Sequence, residues 1–203
     1  MLERMNQDHL KQVIDIHASS WGKDEISVKL GAEYLKLFYV HLIRSPHSFA
    51  YIYRFENEVV AYATGFYDYR AFNRGILRQE KFRLFLILLK RYMKKKISWA
   101  DIRNLMVDKR KFRKAKYPKH HVGALALSNI YKGTGEGRKA ITKTIEMVLK
   151  EFEDHSCPGC SACCDARNIA MRNYFLRLGF EEIDTINFMT KQVVMFEKSF
   201  HEQ

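Results

Sequence analysis

Three glycines stand close together in the stretch Lys132-Gly133-Thr134-Gly135-Glu136-Gly137. A short apolar run, HHVGALALSNI, precedes them, and a long segment with apolar residues at helical spacing follows. This order predicts a central strand, a tight loop and the start of a helix. Glycine lets backbone amides approach an anion, and the helix dipole favours negative charge at that end. The loop is therefore a candidate phosphate site; the alternative is a turn that binds nothing.

The spacing of these glycines excludes two common nucleotide sites. A P-loop has Gly-x-x-x-x-Gly-Lys followed by Ser or Thr, and no such run occurs in the sequence. A dinucleotide fingerprint has Gly-x-Gly-x-x-Gly in the first strand–helix–strand unit, whereas the spacing here is Gly-x-Gly-x-Gly, deep in the chain. The phosphate of a different cofactor remains as the candidate ligand.

Histidines and cysteines supply the other candidate chemistry. His121 opens the central strand, with His120 on the opposite face, and imidazole suits base catalysis at neutral pH. The alternative for His121 is a strand-end histidine that packs or caps.

All four cysteines lie in residues 157–164, CPGCSACC. One pair, Cys157 and Cys160, has zinc-ligand spacing, but a second pair normally comes from a distant stretch. A strand of small residues is favoured there instead of a metal site.

Both helices and strands are predicted around these candidate residues. Helices are predicted over residues 8–18 with Asp8 as the cap, and over residues 24–43, 81–93, 99–109 and 168–178, as well as after the glycine loop. Strands are predicted as a hairpin over residues 49–67, then near residues 120–130 and 160–166, and as two strands that close the chain. The pattern predicts an α/β fold with a mixed sheet in one domain, residues 1–203.

Positive charge is concentrated in one segment of the chain. Residues 66–119 hold 18 of the 35 Lys and Arg residues but only 4 of the 23 Asp and Glu residues. We interpret residues 68–119 as a basic, mainly helical insertion, because its length exceeds that of a usual connection. It is interpreted as a lid over an acceptor site, or as a surface for an anionic membrane or nucleic acid.

The chain shows no sign of a membrane span or of secretion. The amino terminus lacks an apolar signal sequence, and the longest apolar run, Leu84–Leu89, is too short to cross a bilayer. Clustered cysteines are also not the disulfide framework of a secreted domain. We therefore expect a cytoplasmic protein.

Two motifs in the second half of the chain resemble the GNAT acetyltransferase superfamily. The family signature Gln/Arg-x-x-Gly-x-Gly/Ala opens the helix that receives the pyrophosphate of acetyl-coenzyme A; the glycine loop matches it, with Lys132 in place of the usual Arg or Gln. The later signature, Asn-x-x-Ala-x-x-apolar-Tyr-x-x-apolar-Gly-Phe, is similar to the run from Asn168 to Phe180. The resemblance covers nearly the whole chain and implies a twisted sheet of about six to seven strands flanked by helices.

The resemblance also implies roles for individual residues. The backbone of Leu125, Ala126 and Leu127, on a strand that diverges from its neighbour, would pair with the pantetheine amides. The amides of the glycine loop, with Arg138, would hold the pyrophosphate, and Asn168 would lie near the pantetheine arm. The implied reaction is attack of an amine on the thioester. Near the start of the central strand, where the family often has a carboxylate as the base, this chain offers His121.

The proton donor to the leaving thiolate departs from the family pattern. The usual tyrosine, five residues before the Phe of Gly-Phe, is Phe175 in this chain, and Tyr174 is its neighbour. Three alternatives stay open: a shifted helix register, Tyr174 as the donor, or departure of the thiolate without a side-chain acid.

The resemblance implies an N-acetyltransferase that uses acetyl-coenzyme A and a small primary amine. The rival from another class is a non-catalytic module of this fold whose basic insertion docks on a membrane or nucleic acid. The sequence does not identify the acceptor or the acyl chain length, and it leaves a homodimer open.

Overall fold

The computed structural model describes residues 1–23, 25–108, 119–188 and 191–200. Its helices are α1 Leu10–Ser20, α2 Ile26–Leu30, α3 Ala32–Arg44, α4 Tyr69–Met93, α5 Trp99–Asp108, α6 Gly135–Asp154 and α7 Ile169–Arg177. Its strands are β1 Leu2–Arg4, β2 Ser48–Phe55, β3 Glu58–Phe66, β4 His121–Leu127, β5 Gly159–Asp165, β6 Glu181–Phe188 and β7 Lys191–Ser199. Short 3-10 turns at Gln7–His9 and Asn129–Tyr131 precede α1 and follow β4.

The strands of the described residues form one mixed sheet of seven, in the order β1-β2-β3-β4-β5-β7-β6. The β4–β5 pair is parallel, and the other neighbouring pairs are antiparallel. This confirms the mixed α/β sheet predicted from the sequence. It also places the two strands that flank the glycine loop's helix at the centre of the sheet.

The β2–β3 hairpin was predicted and is confirmed. Its turn residues, Glu56 and Asn57, have φ values of +48° and +67°. Positive φ at both central positions is the geometry of a type I′ turn, which matches the twist of the two strands. The hairpin carries eight consecutive buried residues on β3, so the helices on both faces of the sheet pack against it.

Three helix predictions were wrong in their boundaries. The predicted helix 24–43 is broken at Gly31, whose φ of +84° lies in the left-handed region that glycine favours. Asp8 does not cap α1; the side chain of Asn6 accepts the Asp8 amide at 2.9 Å and caps the preceding 3-10 turn. The helix predicted from Lys81 begins at Tyr69, and the backbone kink at Glu80 separates its two halves.

Helices cover both faces of the sheet and divide the core in two. One face packs against α6 and α7 through the cluster that contains Leu125, Val148, Phe152, Phe175 and Phe196. The other face packs against α1, α3 and α4 through the cluster that contains Val13, Tyr39, Leu42, Tyr62 and Phe72. The β4 strand contributes to both clusters, so a ligand at β4 meets both halves of the core.

Helices α4 and α5 occupy part of the basic segment. The predicted insertion 68–119 includes residues 109–118, which lie outside the described residues. Within the described part, α4 packs on α2 and α3. Among the helices of that part, none combines the length and the apolar composition needed to cross a bilayer.

Candidate functional site

Strands β4 and β5 run side by side for only a short distance. Within the described residues their ladder consists of the pair His121–Ser161, where the Ser161 amide donates to the His120 carbonyl at 2.9 Å. Beyond this pair the two strands diverge. The sheet therefore has an opening between β4 and β5 on the side of the glycine loop.

A bulge in β4 accompanies the divergence. Gly123 and Ala124 lie opposite the single residue Thr64 of β3, whose hydroxyl accepts the Ala124 amide at 2.8 Å. A Cβ on residue 123 would lie 2.5 Å from atoms of both Phe66 and Thr64, so only glycine fits there. Bulges bend a strand and increase its twist. The bulge thus accounts for the departure of β4 from β5 at this point.

The bulge also decides where the β4 amides point. The amide of Ala124 donates toward β3, and that of Ser128 donates to the Val60 carbonyl at 2.8 Å. Because backbone direction alternates along a strand, the amides of Leu125 and Leu127 point away from β3, into the opening. An extended ligand with amide groups would find strand-like partners there.

The three β4 residues predicted to bind pantetheine differ in the hydrogen-bond partners of their backbone. Ala126 lies opposite Tyr62 in the ladder with β3. The Leu127 carbonyl accepts a hydrogen bond from Ser20 Oγ of α1 at 2.9 Å. The backbone of Leu125 is therefore the best placed of the three to pair with a ligand in the opening.

The glycine loop is held in shape by Thr134. Its hydroxyl donates to the Tyr131 carbonyl at 2.8 Å and accepts the Gly137 amide at 3.0 Å, which caps α6. Gly133 has a φ of +80°. A Cβ on Gly137 would lie 2.1 Å from the Tyr131 carbonyl oxygen, whereas a Cβ on Gly135 would meet nothing within 4 Å. The helix thus packs tightly on the loop, and the surface over its first residue is open.

The first turn of α6 presents amides to this open surface. The amides of Gly135 and Glu136 have no partner four residues back within the helix, because the helix begins there. Lys132 and Arg138 are exposed in the same segment. The Glu136 carboxylate accepts the Tyr53 hydroxyl at 2.7 Å, which holds this negative charge to one side. The loop therefore offers amides and cations to an anion.

Helix α7 begins and ends as predicted, with a left-handed glycine, Gly179, after it. The side chain of Asn168 accepts the Met171 amide at 3.1 Å and caps the helix. Phe175 is 3% exposed, and its ring contacts the rings of Phe180 and Phe196. A tyrosine hydroxyl at position 175 would need a polar partner in this apolar core.

Tyr174 projects from another side of α7. Its hydroxyl donates to Thr142 Oγ1 of α6 at 3.2 Å, and burial raises the pKa of the phenol. Helix α6 follows β4 and α7 follows β5, so this bond joins the helices that flank the diverging strands. Tyr174 is the one tyrosine of α7, and its role as proton donor stays a prediction.

His121 lies on the opposite face of the sheet, at the point of divergence. Its Nδ1 is 2.9 Å from Ser161 Oγ, which also donates to the His120 carbonyl at 3.2 Å. With the hydroxyl proton used in that bond, Nδ1 carries the ring proton and Nε2 is the basic nitrogen. Burial lowers the pKa of His121 to about 4, so the ring is neutral at pH 7. His120 contacts Phe152 on the other face, as predicted.

Solved structures with similar folds cover nearly the whole chain. An N-acetyltransferase from Staphylococcus aureus Mu50 superposes with a TM-score of 0.61 and 10% identity, covering 98% of this chain and 97% of that one. A ribosomal-protein-S18-alanine N-acetyltransferase from Escherichia coli has a TM-score of 0.56 at 10% identity, with coverages of 98% and 92%. A putative acetyltransferase of the GNAT family from Desulfovibrio desulfuricans has a TM-score of 0.58 at 8% identity, with coverages of 98% and 98%. The chain has the GNAT acetyltransferase fold.

The GNAT likeness is one of fold, since these identities are low. No family model matches the sequence. No curated protein matches it either. The likeness therefore supports the arrangement of helices and strands around the site. The role of each residue has to be argued from the geometry described above.

Sequence reasoning missed several residues beside His121 on this face of the GNAT sheet. The Tyr69 ring lies 5.3 Å from the His121 ring, and Ser161 contacts His121 directly. Cys163 follows on β5, and its pKa is raised to about 12 by burial, then by Cys164 and Glu25. These residues come from separate segments. The one signal in the sequence was the serine among the small residues of CSACC.

The cysteine segment is strand β5, as predicted. Cys160 and Ala162 are buried in the core that faces α6 and α7, and Cys164 packs against it, which confirms the predicted alternation. Burial raises the pKa of each of the four thiols. Within the described residues, no group of three or more His, Cys, Asp or Glu side chains is placed to hold a metal ion. Cys157 and Cys160 are thus part of the apolar core.

Proposed function

We propose that the chain is an N-acetyltransferase that transfers the acetyl group of acetyl-coenzyme A to a primary amine. The observation that carries this proposal is the combination of the β4–β5 opening with the amide-lined start of α6 at its end. The opening suits an extended arm with amide groups, and the helix start suits a pyrophosphate.

The cofactor would bind along β4. The amides of Gly135 and Glu136, with the side chains of Lys132 and Arg138, would hold the pyrophosphate. The Leu125 backbone would pair with the pantetheine arm, and pairing at Leu127 would exchange the hydrogen bond from Ser20. Gly133, Thr134 and Gly137 would act by shaping the loop. Asn168 would support the site as the cap of α7.

The thioester would then lie near the start of the opening, beside the point where β4 leaves β5. The amine nitrogen attacks the thioester carbonyl carbon, a C–N bond forms and the C–S bond breaks. His121 Nε2 receives the proton that the nitrogen loses. Although the lowered pKa makes this imidazole a weak base, the nitrogen becomes strongly acidic as the C–N bond forms. The thiolate takes a proton from the Tyr174 hydroxyl, which exchanges its bond with Thr142.

Calorimetry with acetyl-coenzyme A tests the cofactor half of this proposal. Gly135→Glu places a carboxylate over the helix start, in a space that is otherwise open, and should abolish binding. Gly135→Ala is the matched control, because its methyl group has room and adds no charge; it should bind within about threefold of wild type. Absence of binding in the wild type, or equal binding by both variants, would contradict the proposal.

The rival function predicts the same binding of acetyl-coenzyme A, and a thiol-release assay with added amines distinguishes it. A non-catalytic module is favoured by one observation, the phenyl ring of Phe175 in the core where the family usually has a tyrosine. Such a module would bind acetyl-coenzyme A without releasing thiol when amines are added. Release of thiol that requires an amine would exclude it.

A further inference from the structure

The second half of α4 exposes a continuous apolar stripe. Apart from the adjacent pair Phe85 and Leu86, neighbouring members of the set Phe82, Phe85, Leu86, Leu89 and Met93 are three or four residues apart. This spacing places all five on one side of the helix. Their exposed fractions are 69, 59, 45, 43 and 75%. Single exposed apolar residues are common, but a patch of this length on a soluble surface marks an interaction site. We call these five residues the α4 stripe.

Contacts on the opposite side of α4 hold the helix so that the α4 stripe faces solvent. Ile87 is 5% exposed and packs against Ile26 and Leu30 of α2. The Arg91 guanidinium donates to the Lys29 carbonyl at the end of α2 at 2.6 Å, and its atoms lie against Gly31. The helix is thus held by its inner face. It cannot bury the stripe by rotating without breaking these contacts.

Basic residues border the stripe along its length. Lys81 and Arg78 lie at its start, Lys90 lies beside it, and the exposed turn Lys94–Lys96 follows its end. The segment from residue 66 to 119 carries 14 more basic than acidic residues. An apolar face with cationic margins is the composition of helices that lie in the plane of a membrane surface.

Three occupants could cover such a face, and two of them fit poorly. A second copy would bring two basic segments together, and their like charges would repel. A nucleic acid would satisfy the charges but would leave Phe82, Phe85 and Met93 against a polar backbone. An anionic lipid surface satisfies both, since its headgroups pair with the lysines while its acyl chains receive the apolar side chains.

We propose that the α4 stripe and its basic margin dock the protein on the surface of an anionic lipid bilayer. The helix lies parallel to the surface, with the stripe inserted below the headgroups and the Lys94–Lys96 turn among them. This docking does not depend on the acetyltransferase proposal, because the stripe is separate from β4 and the glycine loop. Docking would place the protein at the membrane surface.

Co-sedimentation of the full chain with lipid vesicles tests this proposal. We expect the wild type to bind vesicles of phosphatidylcholine mixed with phosphatidylserine, and to bind vesicles of phosphatidylcholine alone more than about tenfold more weakly. The triple variant Phe82→Ser, Phe85→Ser, Leu89→Ser should lose at least about tenfold in partitioning to the anionic vesicles. These side chains are exposed, so the variant should keep the far-UV circular dichroism of the wild type.

Matched variants separate the stripe from general effects. Phe55→Ser with Ile183→Ser removes apolar side chains that are 39 and 42% exposed elsewhere, and this variant should bind like the wild type. A triple variant with Lys94→Gln, Lys95→Gln and Lys96→Gln should bind anionic vesicles more weakly, and its binding should depend less on salt. The same change at Lys11, Lys143 and Lys150, which are exposed on α1 and α6, should have less effect.

Three results would overturn the proposal. The first is a wild type that stays in the supernatant with anionic vesicles. The second is a stripe variant that sediments like the wild type. The third is a wild-type dimer in analytical ultracentrifugation that the stripe variant lacks, with no vesicle binding, because the stripe would then be covered by a second copy.

Discussion

The two faces of β4 are built in different ways. On the face of α6 and α7, the glycine loop, the α6 start and the α7 cap each lie within a few consecutive residues. On the face of α1, α3 and α4, His121 meets Ser161 from β5 and Tyr69 from α4. The first face is built from motifs of consecutive residues, and the second is built from residues that lie far apart in the sequence.

The electrostatic character of the two faces also differs. The loop side presents exposed cations and helix amides. The other side buries neutral polar groups: His17 Nδ1 lies 2.7 Å from the Tyr39 hydroxyl and 3.0 Å from that of Tyr62, and its Nε2 lies 2.9 Å from Ser27 Oγ. Burial lowers the pKa of His17 to about 4. Under the proposed function, the anionic cofactor would bind on the first face and the neutral amine would approach from the second.

His121→Gln should produce the largest effect, and it should act on one face alone. Loss of the base should lower kcat by about a hundredfold to ten-thousandfold while leaving acetyl-coenzyme A binding unchanged. His120→Gln changes the neighbouring ring on the other face and should keep kcat within about threefold of wild type. Steady-state kinetics with calorimetry on both variants would measure this difference. Equal losses in the two would remove His121 from the mechanism.

Gly137→Ala should destabilise the protein through the loop side. The new methyl group would meet the Tyr131 carbonyl oxygen at 2.1 Å, so the loop or the helix must move. We expect a loss of about 2–3 kcal/mol in the free energy of unfolding, measured by denaturant titration. Gly135→Ala, two residues earlier, adds the same methyl group in open space and should change stability by less than about 0.5 kcal/mol. A loss of similar size in both would show that the loop does not pack as described.

Thr64→Val should weaken the bulge that opens the sheet. The valine is nearly the same size but leaves the buried Ala124 amide without the hydroxyl that accepts it at 2.8 Å. The expected cost is about 1–3 kcal/mol in unfolding free energy. Thr64→Ser keeps the hydroxyl and should recover most of this loss. If Thr64→Ser is no more stable than Thr64→Val, the hydrogen bond does not support the bulge.

The buried histidines should make stability depend on pH. His17 and His121 have pKa values lowered to about 4 in the folded chain, against about 6.5 when unfolded. Between these values the unfolded chain binds protons that the folded chain does not, so stability falls as pH decreases from about 6.5 toward 4. His17→Gln should reduce the slope by up to about 1.4 kcal/mol per pH unit.

A substitution that removes no titratable group provides the control for that experiment. Thr64→Val alters a buried side chain that carries no ionisable group and should retain the wild-type slope of unfolding free energy against pH. Denaturant titrations at several pH values would measure all three proteins. A His17→Gln protein with the wild-type slope would show that the buried ring is not the group that titrates.

The local face could be predicted from the sequence, and the assembled face mostly could not. Consecutive residues determine a helix start, so the glycine loop and the helix from residue 168 were apparent as patterns. The contact of His121 with Ser161 and Tyr69 depends on the sheet order, which no short stretch of sequence contains. His121 was proposed from its residue type and its place at the start of the central strand, and its partners became apparent only with the fold.

The boundary errors have similar causes. Apolar periodicity continues across Gly31, so the pattern predicted one helix where a left-handed glycine makes two. The first half of α4 carries too few apolar residues at regular spacing to be predicted, and the Asp68 side chain starts it by accepting the Ala71 amide at 2.7 Å. Strand β1 is three residues long and is held by pairing with β2, which its own sequence does not reveal.

The measurement that tests the central claim most directly is thiol release from acetyl-coenzyme A with a panel of primary amines, together with mass spectrometry of the products. We predict release that requires an amine, an acetylated product in equal amount, and loss of both in Gly135→Glu and His121→Gln. The first variant would lose them by not binding the cofactor, and the second by not transferring the proton. Binding of acetyl-coenzyme A with no amine-dependent release and no acetylated product would contradict the account.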